Sequence, residues 1–209
     1  MTSISISIIG TGNMASTIGA LAVAGGNTVE IIGRDQSKAA LVANALGGST
    51  TTGEFGAVPT GEIVIVALGY ANVVPVVSQY GHALADKVIV DICNPVNPTA
   101  DGLAIPDGTS IAQNVAEVAP AGASVVKALN TTFGAVLSNG HPMDVLIAGD
   151  DEQAKARVAE FVESLTLRPL DVGDLTMAPY LEGTGLVMIG LAQHGVGNFD
   201  FALDVTVPS

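Results

Sequence analysis

The stretch of residues 3–15 constrains the fold of this chain more than any other part of the sequence. Residues 3–9 alternate polar and apolar side chains, which is typical of a β-strand, and lead directly into Gly10-Thr-Gly-Asn-Met-Ala15. Residues 14–24 are rich in Ala, Leu and Met and end at Gly25-Gly26, which predicts a helix that stops at glycine. A strand, a glycine-rich turn and a helix in direct succession predict the first βα unit of a parallel sheet.

Strands and helices alternate along the rest of the chain as they do in an α/β fold. Apolar or β-branched runs predict strands at residues 28–32, 49–52, 63–67, 88–91, 124–128, 145–148 and 168–172. Helices are predicted at residues 37–46 with Ser37 as the cap, at 71–84 with Pro75 in the first turn, and at 111–118, 151–164 and 179–192. The sequence therefore predicts one Rossmann-type domain over residues 1–209, a doubly wound parallel sheet with a C-terminal helical extension over residues 173–209. We expect that extension to act as a substrate lid or a dimer contact.

The charge balance restricts the partners of the protein. The chain has 7 basic and 20 acidic residues, a formal net charge of −13. Nucleic acids and anionic membranes bind positive surfaces, so we expect neither as a partner. The start of the sequence lacks a signal-peptide pattern, the apolar runs are shorter than the ~20 residues of a membrane span, and Cys93 is the single cysteine. These features favour a cytoplasmic protein.

Each small residue of the glycine-rich turn has a mechanical role if the turn binds a dinucleotide. Gly10 would permit the tight turn out of the strand, Gly12 would let the backbone approach a pyrophosphate, and Ala15 would let the helix pack against the strand. The phosphates would meet the free N–H groups and the positive end of the helix. The residues expected to contact the cofactor here are Gly10, Thr11, Gly12, Asn13 and Met14. The alternative is an ordinary turn between a strand and a helix.

The end of the second strand favours NADP(H) over NAD(H). Enzymes that bind NAD usually carry an acidic residue there for the ribose 2′-hydroxyl, and this chain has Gly33-Arg34-Asp35 instead. Gly33 would clear room for a larger group, while Arg34 would contact a 2′-phosphate and Lys38 would lie one helical turn away. The alternative is that Arg34 pairs with Asp35 in solvent.

Motifs along nearly the whole chain resemble those of a known family. They are the turn Gly10-Thr-Gly-Asn13, Gly33-Arg34 with Lys38, Val90-Asp-Ile-Cys-Asn-Pro95, Val125-Val-Lys-Ala-Leu-Asn130, Ala148-Gly-Asp-Asp151, Leu167-Arg-Pro-Leu-Asp-Val-Gly173 and Leu181-Glu182. In these motifs the sequence resembles the NADP oxidoreductases that depend on coenzyme F420, a deazaflavin. The resemblance implies that NADP(H) binds at the glycine turn, that the deazaflavin stacks on the nicotinamide and exchanges a hydride with it, and that the protein is a homodimer.

Direct hydride transfer depends on stacking and distance, and the cofactors carry the redox chemistry. We accordingly assign no catalytic residue: His82, His141 and His194 are expected at the surface, Cys93 as a small buried residue, and no cluster has metal-ligand spacing. Ligands bind at the carboxyl ends of such strands. The further residues expected to contact the cofactor there are Leu68, Gly69, Tyr70, Asn94, Pro95 and Asn130. The two asparagines would hydrogen-bond the carboxamide or the flavin ring, or else simply form turns.

Two other functions stay open at this point. One is an NADPH-dependent reductase of another flavin or of a small carbonyl or imine substrate, and the other is an NADP(H)-binding protein without catalysis. The net charge of −13 is unfavourable for the phosphate and glutamates of the F420 tail, so that tail would have to point into solvent.

Overall fold

The computed structural model describes residues 3–206 and 208, and within them the strands form a single sheet. Its eight strands are β1 (Ser5–Ile9), β2 (Thr28–Ile32), β3 (Thr51–Gly53), β4 (Ile63–Val66), β5 (Val88–Asp91), β6 (Ser124–Lys127), β7 (Asp144–Gly149) and β8 (Arg168–Gly173). Their order across the sheet is β3-β2-β1-β4-β5-β6-β7-β8. The order reverses between β1 and β4, which gives the doubly wound arrangement predicted from the sequence.

The sheet is parallel from β3 to β6, but β7 runs antiparallel to β6. The predicted doubly wound sheet is therefore mostly parallel, since β7 and β8 are again parallel to each other, and it departs from the prediction at the β6–β7 pair. The connection over residues 128–143 contains only the short helix α5 (Gly134–Ser138), which the sequence did not predict, and it returns without crossing a face of the sheet. The strands β1, β2, β4, β5 and β6 all end on one side, which we call the carboxyl edge.

Helices cover both faces of the sheet. They are α1 (Asn13–Ala24), α2 (Gln36–Leu46), α3 (Tyr70–Tyr80), α4 (Ile111–Val118), α6 (Glu152–Ser164) and α7 (Ala178–Gly190), with 3-10 segments at Gly81–Leu84 and Leu175–Met177 and a π-helical turn at Leu191–Gly195. One apolar cluster joins the sheet to α1, α2, α5 and α6, and a second joins it to α3 and α4. Successive side chains of β4 belong to alternate clusters, as a strand buried on both faces requires.

Two helices differ from the sequence prediction in the residue that caps them or occupies their first turn. The cap of α2 is Asp35 rather than Ser37, because the Asp35 carboxylate accepts hydrogen bonds from the backbone N–H groups of Ser37 and Lys38. Pro75 is the sixth residue of α3 and not part of its first turn, so the helix lacks the bond that this N–H would make. The predicted helix over residues 71–84 is α3 followed by a 3-10 turn.

The C-terminal extension is helical only in its first part. The helical segment Leu175–Gly195 has 21 residues and is long and apolar enough, by length and composition, to cross a membrane. The segment contains Glu182 and His194 and is therefore not an uninterrupted apolar run, and 39% of an 18-residue window within it is buried inside the fold. Residues 196–206 lack regular secondary structure; residues 196–199 form bends, and Phe199 and Val205 contact Phe133 and Asp144 respectively.

Candidate functional site

The glycine-rich turn leaves β1 at the carboxyl edge in a conformation that only glycine can take. Gly10 has φ of +145°, and its N–H donates to the carbonyl of Ile32, 2.9 Å away on β2. A Cβ at Gly10 would lie 2.3 Å from the carbonyl oxygen of Ala67, which follows β4. The turn is therefore closely packed between its two neighbouring strands.

Gly12 has the opposite surroundings. It is the N-cap of α1 without a capping side chain, and a Cβ built on it would meet no atom within 4 Å. The first N–H groups of a helix have no partner inside the helix and carry partial positive charge. Gly12 thus leaves open space directly in front of a helix N-terminus, whose partial positive charge favours an anion. Behind this end, Gly134 of α5 packs closely against the Asn13 and Met14 side chains.

Gly33 makes room for the glycine-rich turn itself. A Cβ at Gly33 would lie 2.8 Å from the methyl group of Thr11. The absence of a side chain at Gly33 therefore lets Thr11 pack against the end of β2, and the expected role of Gly33 in leaving room for a larger group stays a prediction.

Arg34 lies on the surface beside an aromatic ring that the sequence analysis did not select. Its guanidinium carbon is 6.0 Å from the centroid of the Phe55 ring, which packs edge-on against Tyr80. Asp35 caps α2 and makes no ion pair with Arg34 within the described residues, so the alternative of an Arg34–Asp35 pair is not what the structure has. Lys38 is 4.0 Å from Asp35, with 69% of its side chain exposed.

The segment that follows β4 opens toward solvent at the same edge. Gly69 is the N-cap of α3, and a Cβ on it would meet no atom within 4 Å. Leu68 and Tyr70 are half-buried on either side of it. Pro95, which follows β5, is buried.

Asn94 and Asn130 form a reciprocal pair where β5 and β6 end. The Asn94 side-chain amide donates to the Asn130 carbonyl over 2.7 Å, and the Asn130 amide donates to Asn94 Oδ1 and to the Leu181 carbonyl, each over 2.8 Å. These bonds fix which way the Asn130 amide points. Its Oδ1 is buried and accepts no hydrogen bond. A buried acceptor left without a donor is costly, so an N–H group that reached Asn130 Oδ1 would be bound favourably.

The backbone just before this pair adopts an unusual conformation. Leu129 is buried and has φ of +58°, a left-handed value that is rare outside glycine. On α7, a Cβ at Gly185 would lie 2.4 Å from the Asn94 amide. Strained backbone and close packing of this kind are typical of sites that must hold a fixed geometry.

Beneath the asparagine pair lies a wholly buried ionic cluster, which the sequence analysis did not identify. The Lys127 ammonium donates to Asp91 Oδ2 over 2.7 Å, to Glu182 Oε1 over 2.8 Å and to the Cys93 carbonyl over 2.5 Å. All three charged side chains have no exposure. Glu182 also accepts from the N–H of Ile111, the first residue of α4, so the cluster joins β5, β6, α4 and α7.

Burial acts in one direction on the pKa of Lys127 and in the opposite direction on the pKa values of Glu182 and Cys93. It would lower the pKa of Lys127, but Asp91 and the other groups around it raise that pKa overall. Burial raises the pKa of Glu182, with Lys127 opposing the change, and burial also raises the pKa of the Cys93 thiol. Cys93 is a small buried residue, as predicted.

Three of the six other basic side chains are also held in close ion pairs. The pairs join Lys155 to Glu152 and Asp171, Arg157 to Glu62 and Glu160, and Arg168 to Asp144. Of the described residues, only Arg34, Lys38 and Lys87 lack an ion pair closer than 4.0 Å. Lys87 precedes β5 at the opposite edge. The cations available at the carboxyl edge are therefore the two that the sequence indicated.

The remaining candidates for chemistry lie apart from the site. His82, His141 and His194 are exposed. A search of the described residues finds no group of His, Cys, Asp or Glu that could hold a metal ion.

The matches with known proteins agree with the family that the sequence motifs resemble. Residues 5–95 match the family described as NADP oxidoreductase, coenzyme F420-dependent. A protein from Arthrobacter sp. FB24, provisionally described as an F420-dependent NADP reductase, is 25% identical with a TM-score of 0.85, and the match covers 98% of this chain and 100% of that one. A hypothetical protein from Sinorhizobium meliloti is also 25% identical, with a TM-score of 0.73 over 85% of this chain and 89% of its own.

The metalloreductase STEAP3 of Rattus norvegicus is 30% identical over 191 residues, or 88% of this chain. The chain spans 37% of the length of that relative. The likeness therefore concerns one part of a larger protein.

Proposed function

We propose that this chain, whose residues 5–95 match the family described as NADP oxidoreductase, coenzyme F420-dependent, binds NADP(H) along the carboxyl edge and transfers a hydride between the nicotinamide and coenzyme F420. The observation that carries the proposal is the open space in front of Gly12, between a helix N-terminus and the two available cations. Pyrophosphate and 2′-phosphate are the anionic groups that such a surface accommodates.

The residues present fit NADP(H) at both ends of the edge. Arg34 would hold the 2′-phosphate through a charge-assisted contact, with Phe55 beside its guanidinium and Lys38 one turn away. At the other end, the unpaired Oδ1 of Asn130 would accept a hydrogen bond from the carboxamide N–H of the nicotinamide. Leu68, Gly69, Tyr70 and Asn94 would line the space where the ring lies.

When bound, the nicotinamide supplies the hydride chemistry. The part of the protein is to hold two flat rings together and to keep water away from them. Within the described residues, the edge offers no exposed histidine or thiol for acid–base work next to Asn130, which suits a transfer that needs no protein acid. The second substrate would be a deazaflavin, whose anionic tail extends into solvent, away from an acidic surface.

A second candidate comes from the likeness to STEAP3. Because 88% of this chain matches part of a protein named as a metalloreductase, electrons from NADPH could pass to another flavin and then to a metal complex. A reductase of small carbonyl or imine substrates, or a protein that binds NADP(H) without catalysis, would need the same nucleotide site.

One experiment separates these functions. Purified protein is mixed with NADPH and, in separate reactions, with oxidised F420, FMN, FAD, a ferric chelate with and without flavin, or a small ketone or cyclic imine, and absorbance is followed. We expect bleaching of F420 that depends on the protein. Reduction of another acceptor, with F420 neither bound nor reduced, would overturn the F420 assignment and leave the NADP(H) site standing.

Isotopic labelling tests the transfer step. With NADPH deuterated at C4, direct transfer places the label at C5 of the deazaflavin from one nicotinamide face only. Label that appears in water would indicate an exchanging intermediate and contradict direct transfer.

We also propose a homodimer in which α7 is part of the interface. Tyr180, Val187 and Leu191 repeat at helical spacing and are 69%, 61% and 39% exposed, so the helix presents an unburied apolar face. Light scattering at micromolar concentration should give twice the chain mass of 20.9 kDa, and Val187→Glu should shift the protein toward monomer. A monomeric wild-type protein would contradict the proposal.

A further inference from the structure

The buried ionic cluster lies below the part of the edge where the nicotinamide would bind. Asp91 and Lys127 are the last residues of β5 and β6, and Glu182 reaches them from α7. A dinucleotide crosses a sheet of this type at the point where the strand order reverses, which here lies between β1 and β4. With the 2′-phosphate at Arg34, beyond β2, the nicotinamide half falls on the side of β4, β5 and β6.

The cluster holds one more negative charge than positive. Two carboxylates and one ammonium give a net charge of −1. The bonds to Asp91 come from the Lys127 ammonium and the Cys93 N–H, and those to Glu182 come from the same ammonium and the Ile111 N–H. Each of these partners is a donor, so every hydrogen bond to the two carboxyl groups is of the kind that a carboxylate oxygen accepts, and the Lys127 ammonium and the Ile111 N–H oppose the effect of burial on the pKa of Glu182. The ammonium is saturated by three acceptors.

Water screens this excess charge very little, because its side chains have no exposure. The nicotinamide ring is neutral in NADPH and positively charged in NADP+. A buried negative charge beside the ring therefore stabilises the oxidised form more than the reduced form.

We propose that the excess negative charge of the Asp91–Lys127–Glu182 cluster shifts binding toward NADP+ relative to NADPH and so makes bound NADPH a stronger hydride donor. The inference rests on the proposed function, because it requires NADP(H) at this edge. By linkage, tighter binding of the oxidised form favours its production. The C4–H bond of NADPH breaks with its electron pair, a C–H bond forms at C5 of the deazaflavin, and the deazaflavin takes one proton from solvent.

Two variants that remove one negative charge each test the proposal. Glu182→Gln and Asp91→Asn both change the cluster from −1 to 0 while keeping the size of the side chain. The measurement is the ratio of the dissociation constants of NADPH and NADP+, from fluorescence titration of the protein without a second substrate. We expect each variant to lower that ratio by about tenfold, because it removes one unit of negative charge that water screens very little. Glu152→Gln, which removes an exposed carboxylate on α6, should leave the ratio unchanged.

The outcomes are distinguishable. If both affinities fall by the same factor, or the ratio stays unchanged in folded variants, the cluster has a structural role only and the inference is wrong. The wild-type protein gives a second test that needs no variant to fold: it should bind NADP+ at least as tightly as NADPH, and a more than tenfold preference for NADPH would overturn the inference. If the wild-type protein binds neither nucleotide, the proposed function itself fails.

Discussion

The two ends of the carboxyl edge are built in opposite ways. At the end near β2, Arg34 and Lys38 are exposed cations with few contacts, one beside an aromatic ring and one 4.0 Å from Asp35. At the end near β6, Lys127 has no exposure and is bound by three acceptors within 2.8 Å. The exposed end can recognise a charged group with little cost to the fold, whereas the buried end sets the position of α7 and of the asparagine pair. We expect damage to the first to change specificity and damage to the second to change stability.

The largest effect should come from breaking the buried end. Lys127→Met leaves Asp91 and Glu182 buried without a cation, and the free energy of unfolding should fall by about 3–5 kcal/mol in urea titrations. The triple variant that adds Asp91→Asn and Glu182→Gln should recover part of that loss, because no uncompensated charge remains. If Lys127→Met were as stable as the wild-type protein, the cluster would contribute little to the stability of the fold.

A change at the turn between the two ends should affect binding instead. Gly12→Val fills the open space in front of α1, so the affinity for NADPH and NADH should fall at least about a hundredfold while the circular dichroism spectrum is unchanged. Gly12→Ala should have a smaller effect in the same direction. Gly10→Ala is the contrasting variant: it meets the Ala67 carbonyl and should lower stability. Undiminished NADPH binding by folded Gly12→Val would place the phosphates elsewhere.

The same contrast explains how much the sequence could predict. The exposed end depends on neighbours along the chain, so the spacing of Gly12, Gly33 and Arg34 was enough to find it. The buried cluster joins residues 36 and 55 positions apart in sequence, and a lone lysine or glutamate carries no sign of its partner. The hydrophobic charge-poor stretch Val125-Val-Lys-Ala-Leu was the available signal, since a lysine in a buried strand requires buried acids.

The fold was predictable for a similar reason. Continuous apolar runs and glycine stops identified the strands and most of the helices, and α4 has the predicted bounds, Ile111–Val118. The direction of β7 depends on the path of residues 128–143, which leaves no periodic pattern in the sequence. The cap of α2 was misplaced because Asp35 and Ser37 are both good capping residues. Which of them caps the helix depends on the residue at which β2 ends and the chain turns into α2.

A charge removed from the exposed end should change the choice of nucleotide. Arg34→Ala should reduce the preference for NADPH over NADH by about tenfold, the scale of one charge-assisted hydrogen bond, with NADH affinity and thermal stability nearly unchanged. Lys87→Ala is the matched control, because it removes an unpaired cation at the opposite edge and should leave the preference as it is. Equal binding of NADPH and NADH by the wild-type protein would contradict the assignment of Arg34.

The smallest effect should come from Lys38, and its dependence on salt sharpens the comparison. The Lys38 side chain is 69% exposed, and its ammonium lies 4.0 Å from the Asp35 carboxylate, which offsets part of its positive charge. Lys38→Ala should therefore weaken NADPH binding by only about two- to threefold at low ionic strength. Salt at about 0.5 M screens exposed charges within a few ångströms, so the difference between Lys38→Ala and the wild-type protein should disappear there. The loss of stability in Lys127→Met should persist at the same salt concentration, because solvent ions do not reach a cluster without exposure. If instead salt removed the effect of Lys127→Met and left that of Lys38→Ala, the assignment of one end as solvated and the other as buried would be reversed.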